Sequence, residues 1–293
     1  MKNVLIILTL LAGMSIFSGC NETDTDAQER SDDKRLVGVS IPPQGTFVEA
    51  VGGNLVDTVV TIPPGNSPAN YEPSPAEIEA FSNADVYFSI GVPTEQDNIL
   101  SKAKDLNPEM NIVDLADAVD QEIDPLYFNP ERIDRHRWLS PKRVIVMIET
   151  IRDELIALDP DHRDMYEQNA ADYIGELEDA DHQIKEILSE DLSSRTFVIY
   201  HPALGYFADD YGLEMIALEQ DGKEASPQVM EETIDLAKEK DIKVIFYQQE
   251  FDSKQADAFA EEINGISKRV NPLATDYIDN LISLAKTFED TME

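Results

Sequence analysis

The residues of this 293-residue chain best suited to bind a metal ion are its four histidines, because neutral imidazole is a common ligand for transition metals. His201 directly follows a short apolar segment that is typical of a β-strand. His136 lies among several arginines, two residues before the single tryptophan. His162 and His182 lie among Asp and Glu residues on a predicted helix, which favours exposure to solvent. His136 and His201 are therefore the candidate ligands.

Arg135 and Arg137 flank His136 and support two opposing expectations. Two adjacent cations weaken the binding of a divalent cation unless an acid such as Asp134 neutralises them. In a chain with 59 acidic and only 23 basic residues, the same arginines could instead bind an anion or a metal chelate. The residues alone leave both interpretations open.

The elements that must position these residues alternate between short β-branched runs and amphipathic stretches, a pattern typical of strand–helix units on a parallel sheet. The alternation occurs in both halves of the chain and predicts two α/β lobes. The predicted strands are 36–41, 57–62, 85–90, 195–200, 214–218 and 243–247, and the predicted helices are 47–51, 75–81, 98–106, 226–239, 253–263 and 276–288.

A long helix is predicted between the two lobes, over residues 161–188. Its apolar residues recur at alternating spacings of three and four, at Tyr166, Ala170, Tyr173, Leu177, Ala180, Ile184 and Ile187. At 1.5 Å per residue such a helix is about 42 Å long, enough to run the height of both lobes. A coiled-coil dimer is the alternative, but the flanking α/β units favour packing within one chain. The predicted boundaries are an N-terminal lobe over 36–158, the connecting helix over 159–190 and a C-terminal lobe over 191–293.

The N-terminus is typical of a lipoprotein signal peptide over residues 1–20. A short cationic start precedes an apolar core, and small residues precede Cys20, the only cysteine. A single thiol cannot form an internal disulfide, so acylation after cleavage is its natural use. The alternative is an uncleaved anchor with an incidental cysteine. Residues 21–35 are polar and charged, and we expect a disordered tether there.

The formal net charge of −36 limits the possible partners. Nucleic acid and anionic membrane surfaces would be repelled, so neither is expected as a partner. The acids are spread along the whole chain, which favours a solvated surface suited to high salt over a local field that attracts cations.

Six segments, in order along the chain, resemble the substrate-binding lipoproteins of zinc and manganese ABC importers. The resemblance implies two Rossmann-like lobes joined by one rigid backbone helix, with the metal between them. It also implies a membrane permease as partner, and we expect a monomer. The segments are Val39-Ser40-Ile41-Pro42-Pro43, residues 63–73, Trp138-Leu139-Ser140-Pro141-Lys142, residues 201–213, residues 222–227 and Asn271-Pro272-Leu273-Ala274.

The resemblance also implies four ligand positions, which fall here on Ala69, His136, His201 and Asn271. Ala69 cannot bind a metal, and Asn271 offers only a neutral carbonyl oxygen where the family usually has a carboxylate. Two imidazoles alone hold zinc weakly, because zinc favours four ligands.

Replacement ligands are expected at the carboxyl ends of the predicted strands, where ligands bind in open α/β sheets. Glu250 follows the strand over 243–247 and is the first candidate, and Gln44 follows the first strand and is the second. The alternative for Glu250 is one more surface acid in a very acidic protein.

The sequence as a whole favours an extracytoplasmic, lipid-anchored receptor that delivers zinc, or alternatively manganese, to a permease and catalyses no reaction. One alternative is the same scaffold binding an anion or metal chelate through Arg135 and Arg137. A second is a surface adhesin or structural lipoprotein. A hydrolase is disfavoured because the chain has no Gly-x-Ser-x-Gly and no His-Glu-x-x-His motif.

We predict that Cys20 is acylated and that the mature protein partitions with membranes. Cys20→Ser should release the protein or stall its precursor, because the acceptor thiol is lost. Membrane fractionation with mass spectrometry of the N-terminus checks this. Wild-type protein found free in the medium with an uncut N-terminus would contradict the prediction.

Overall fold

The computed structural model describes residues 34–292, apart from residues 190, 191, 193, 220–224 and 252. Cys20 and most of the predicted tether over 21–35 lie outside the described residues. The last tether residue, Arg35, already begins the first strand, which corrects that boundary. No helix in the described part of the chain is both long enough and apolar enough to cross a membrane.

The first half of the chain forms a parallel four-stranded sheet with the order β2-β1-β3-β4. The inner strands β1 and β3 carry the apolar runs that sequence patterning detects, and β3 is buried along its length. The elements are β1 (Arg35–Val39), α1 (Pro42–Gly52), β2 (Val56–Val60), α2 (Pro75–Ser82), β3 (Val86–Ser89), α3 (Leu100–Leu106), β4 (Asn111–Asp114) and α4 (Leu115–Glu122), with a 3-10 turn at Gly53–Leu55 and a π-helical turn at Glu95–Ile99.

A short antiparallel hairpin and two helices follow the first sheet. Strands β5 (Tyr127–Asn129) and β6 (Arg132–Ile133) form the hairpin, and a 3-10 turn covers Arg137–Leu139. Helix α5 (Pro141–Leu158) begins with proline at its first position, where the missing N–H costs nothing. Candidate ligand His136 therefore lies on the irregular connection between the hairpin and α5.

The second half forms another parallel four-stranded sheet, with the order β10-β9-β7-β8. Its central strands, β7 and β9, place their carboxyl ends side by side. The elements are β7 (Thr196–Ile199), α7 (Gly205–Tyr211), β8 (Glu214–Ala217), α8 (Pro227–Glu239), β9 (Val244–Gln248), α9 (Lys254–Glu262), β10 (Ile266–Val270) and α10 (Tyr277–Met292).

Helix α6 (Arg163–Ile187) connects the two halves and follows a 3-10 turn at Pro160–His162. It packs against α1 and α5 from the first half and against α10 from the second. The Asn169 side chain also donates a hydrogen bond of 2.9 Å to the carbonyl of Val51 at the end of α1. Its buried face consists of Tyr166, Ala170, Leu177, Ala180 and Ile184. The predicted long helix is confirmed.

One continuous hydrophobic core extends from the first sheet to the second. Helix α10 shows how the halves share it. At the start of α10, Tyr277 meets Phe47 of α1 edge to face, with ring centroids 4.9 Å apart. Towards its end, Phe288 contacts Phe197 and Phe246 of the second sheet, at 4.7 and 4.8 Å. Relative motion of the two sheets is restricted because it would disturb this shared packing.

The predicted fold class, α/β with two parallel sheets and one long connecting helix, is confirmed. The predicted strands all occur, each within about two residues of its predicted ends. Strands β4, β5, β6 and β10 lack a sequence prediction, and apart from Val270 in β10 all their residues are exposed or half-exposed. Such strands have no apolar alternation by which to detect them.

Candidate metal centre

The two candidate histidines meet at a cavity of about 470 Å³ that is lined by residues from the loops after both sheets and from the hairpin. Three of its acidic or imidazole side chains follow adjacent parallel strands. His201 follows β7, Glu219 follows β8 and Glu250 follows β9. Ala69, after β2, lines the cavity from the other side. The carboxyl ends of parallel strands converge at such edges, which is why the site forms there.

His201 is held in one orientation by three contacts. Its Nδ1 lies 2.8 Å from Glu219 Oε2, its backbone carbonyl accepts a 2.7 Å hydrogen bond from Gln248 Nε2, and its ring stacks on Phe251 with centroids 5.0 Å apart. Burial lowers the pKa of His201 below its ordinary value; Glu219 opposes this shift and His136 adds to it. The imidazole is therefore neutral at neutral pH, which is the form that binds metal.

His136 is oriented in the same manner from the other side of the cavity. Oδ1 of Asp134 accepts a 2.9 Å hydrogen bond from the backbone N–H of His136 and lies 2.7 Å from His136 Nδ1. Asp134 is itself buried, with a side chain only 1% exposed. The hydroxyl of Tyr206 donates to the backbone carbonyl of Asp134 at 2.9 Å. The connection that carries His136 is thereby tied to α7 of the second half.

The two imidazoles face each other through the nitrogens that remain, His136 Nε2 and His201 Nε2, which are 3.3 Å apart. An ionised carboxylate only accepts hydrogen bonds, so the Nδ1 atom beside each carboxylate carries the hydrogen. In its neutral form each ring then presents a lone pair at Nε2. Two lone pairs directed at each other are unfavourable unless a proton or a cation lies between them.

A zinc ion fits this arrangement geometrically. Zinc–nitrogen bonds of about 2.0–2.1 Å in tetrahedral geometry place two ligating nitrogens about 3.3–3.4 Å apart. The observed 3.3 Å agrees with that separation. The two carboxylates behind the rings complete the carboxylate–histidine arrangement common at metal sites, in which the acid fixes the tautomer and increases the basicity of the ligand.

Two buried oxygens in the cavity wall have no hydrogen-bond partner among the described residues. They are Oε1 of Glu250 and Oε1 of Gln248. Burial raises the pKa of Glu250, because the charged carboxylate has lost water without gaining a cationic partner. Unsatisfied oxygens beside two converging imidazoles are suited to a cation or to its bound water.

The described residues contain no ready-made group of three or more His, Cys, Asp or Glu side chains that could hold a metal. The preformed part of the site is thus the histidine pair. Glu250 lines the same cavity and could become a third ligand only by a change of side-chain position.

The structure corrects the sequence predictions for three residues, Gln44, Asn271 and Arg137. Gln44 is fully buried, and its amide is occupied by Ser40 N, Ile41 N and Phe88 O, so it stabilises the β1–α1 turn and does not line the cavity. Asn271 Oδ1 accepts from Leu273 N at 3.2 Å, and the side chain lines a separate cavity of about 230 Å³.

Arg137 is the third correction, because it is unsuited to bind an anion. It is buried and makes two 2.6 Å hydrogen bonds to Asp120. His162 and His182 lie away from the cavity lining, and His162 contacts Asp159 at 2.8 Å. Sequence patterning missed Glu219 and Gln248, and it named Asp134 only as an acid that could neutralise the arginines. The position of Glu219 just after a strand, like that of His201, was the available signal.

Comparison with known proteins agrees with the fold and identifies the family. The model of the family ZnuA, zinc-uptake complex component A periplasmic, matches residues 37–292. The chain belongs to this family. It is 28% identical to the manganese-binding lipoprotein MntA of Halalkalibacterium halodurans over 84% of this chain and 81% of that protein. It is 25% identical to the high-affinity zinc uptake system protein ZnuA of Bacillus subtilis, over 98% and 97% of the two chains.

A solved structure is similar in fold as well as in sequence. The crystal structure of a ZnuA deletion mutant with zinc bound has a TM-score of 0.83 and 38% sequence identity. The match covers 89% of this chain and 99% of that one. The zinc-uptake family consists of solute-binding receptors, and the two sheets with their connecting helix are shared with it.

We predict that Glu219→Gln weakens the binding of added Zn²⁺ about 10–100-fold, the usual effect of removing a carboxylate behind a metal-binding imidazole. Isothermal titration calorimetry measures this effect. Glu239→Gln on the exposed end of α8 is the control and should bind like wild type. Equal affinities for the two variants would show that Glu219 does not position His201.

Proposed function

We propose that this chain is the lipid-anchored, extracytoplasmic receptor of an ABC importer, and that it captures zinc and delivers it to a membrane permease. One observation carries the proposal: two imidazoles, each held at Nδ1 by a buried carboxylate, bring their Nε2 atoms within 3.3 Å of each other. Membership of the zinc-uptake family and relatives named as lipoproteins support the same function.

Zinc is favoured over manganese by the donor atoms. Imidazole nitrogen suits zinc, whereas manganese prefers carboxylate, carbonyl and water oxygens. The neutral Asn271 replaces an expected carboxylate and lies outside the cavity, which reduces the oxygen donors further. The names of the relatives include both metals, so the preference rests on these side chains.

We further propose His136, His201 and Glu250 as the ligand set. Glu250 supplies the negative charge that Asn271 lacks, and its orphaned Oε1 is the acceptor that would turn towards the metal. The ion would be held between an N-terminal lobe over 36–158 and a C-terminal lobe over 191–293. Because α6 and α10 pack against both, closure on the metal would be small and would depend on the loops at the strand ends.

The first test is thermal. We expect saturating Zn²⁺ to raise the melting temperature at pH 7.5, since a ligand at 100 times its Kd stabilises the native state by about 2.7 kcal/mol. At pH 5 the increase should be much smaller. Protons compete with zinc for imidazoles, whose ordinary pKa is about 6.5. Because burial lowers the pKa of His201, protons displace zinc from this ring only at a lower pH.

His201→Ala should abolish the increase at both pH values, and His182→Ala on the exposed face of α6 is the matched control. Differential scanning calorimetry gives the melting temperatures. If neither zinc nor manganese shifts the melting temperature of the wild-type protein, the metal-receptor function is wrong.

A second test addresses Glu250. Glu250→Gln preserves the size of the side chain but removes its charge, and we expect zinc affinity to fall at least about ten-fold, as even indirect losses at metal sites cost about 10–100-fold. Calorimetric titration against the Glu239→Gln control measures this. Unchanged affinity in Glu250→Gln would identify Glu250 as a surface acid with no role in binding.

A further inference from the structure

Arg135 is an anomaly in this acidic protein. Its Nη1 donates to the backbone carbonyl of Gly91, but no carboxylate pairs with its guanidinium within the described residues. The nearby bases Arg137, Lys142 and Arg143 all pair with aspartates. With 59 acids for 23 bases, a partner was readily available by composition. Arg135 nevertheless lines the cavity that contains His136 and His201.

The charged side chains around the cavity include cations that an anion could contact. Among the described residues, its ionisable lining besides the histidines consists of three carboxylates and two guanidiniums: Glu131, Glu219, Glu250, Arg132 and Arg135. A divalent cation at the histidine pair would add two positive charges beside these groups. A guanidinium near that cation is repelled unless a negative group lies between the two.

The cavity is also larger than one ion needs. Its volume of about 470 Å³ falls in the range of about 300–1,000 Å³ typical of small-molecule sites. A single water occupies about 30 Å³ of liquid volume. Apolar surfaces of Phe128 and Phe251 form part of the lining, so the space is shaped by rings as well as by charge.

The coordination chemistry requires additional donors. Zinc favours four ligands, and the protein offers two imidazoles with Glu250 as a possible third. The position of Ala69 provides none. At least one coordination position therefore stays open to a donor from outside the chain, as in zinc sites that keep a position for water or substrate.

We propose that the cargo of this receptor is zinc together with a small carboxylate chelator of about the size of citrate. One carboxylate of the chelator fills the open position on zinc, and a second pairs with Arg135. Arginine suits this contact because its planar guanidinium binds carboxylate through two parallel hydrogen bonds. This inference rests on the proposed function, since it requires zinc at His136 and His201.

Equilibrium dialysis with the purified protein and two isotopes, radioactive zinc and carbon-labelled citrate, tests the inference. We expect citrate to be retained at one molecule per zinc when zinc is present and not in its absence. Arg135→Gln should reduce citrate retention at least about ten-fold, the factor expected for a charge-assisted hydrogen bond, while zinc is still bound. Arg163→Gln, at an exposed i,i+4 pair on α6, is the matched control and should behave as wild type.

The outcomes separate this inference from the proposed function. Zinc bound without citrate by the wild-type protein, or citrate retention unchanged in Arg135→Gln, overturns the inference and leaves the zinc receptor intact. Retention of phosphate in place of citrate, with the same dependence on Arg135, overturns the carboxylate assignment. Failure to bind zinc under any condition overturns both.

Discussion

The site depends on one arrangement: the imidazoles of His136 and His201 face each other through Nε2, and neither Nε2 has another partner among the described residues. Each ring could turn to bury its polar edge or donate to its neighbour if nothing held it. Glu219 and Asp134 prevent this by accepting the Nδ1 hydrogens at 2.8 and 2.7 Å. The result is a pair of nitrogens whose mutual repulsion a cation relieves. In the proposed function, the hydrogen bonds behind the two rings would thus contribute to the affinity for metal.

Contacts between the two halves of the chain hold the two histidines in this arrangement. Tyr206 of α7 binds the backbone of Asp134, and the Trp138 indole donates a 2.8 Å hydrogen bond to the carbonyl of Pro272. Both contacts connect the segment around His136 to the second half of the chain. Since α6 and α10 contact both halves through one hydrophobic core, the two histidines approach each other on a nearly rigid frame.

The acidic residues that give the chain its net charge are mostly not those at the site. The many exposed carboxylates repel other anions and keep the chain solvated. The acids at the site are the buried Asp134 and Glu219, which contact the two imidazoles, and the half-buried Glu250, which has an unsatisfied oxygen at the cavity. Arg135 places a guanidinium in the lining of the same cavity, and the proposed carboxylate chelator would pair with it there.

The sequence by itself determined the fold class, because short β-branched runs, an uninterrupted three-and-four stripe and ordered short motifs are local patterns. It also identified His136 and His201 and placed Glu250 at a strand end. Tertiary structure decided the rest. Gln44 and Glu250 both follow strands, yet the Gln44 amide turns back onto its own backbone and Glu250 enters the cavity. Asp134 and Glu219 are 85 residues apart, and only the convergence of the strand ends with the hairpin connection makes them equivalent supports of the two rings. The atom that a polar side chain contacts depends on neighbours distant in sequence, and local sequence patterns do not identify those neighbours.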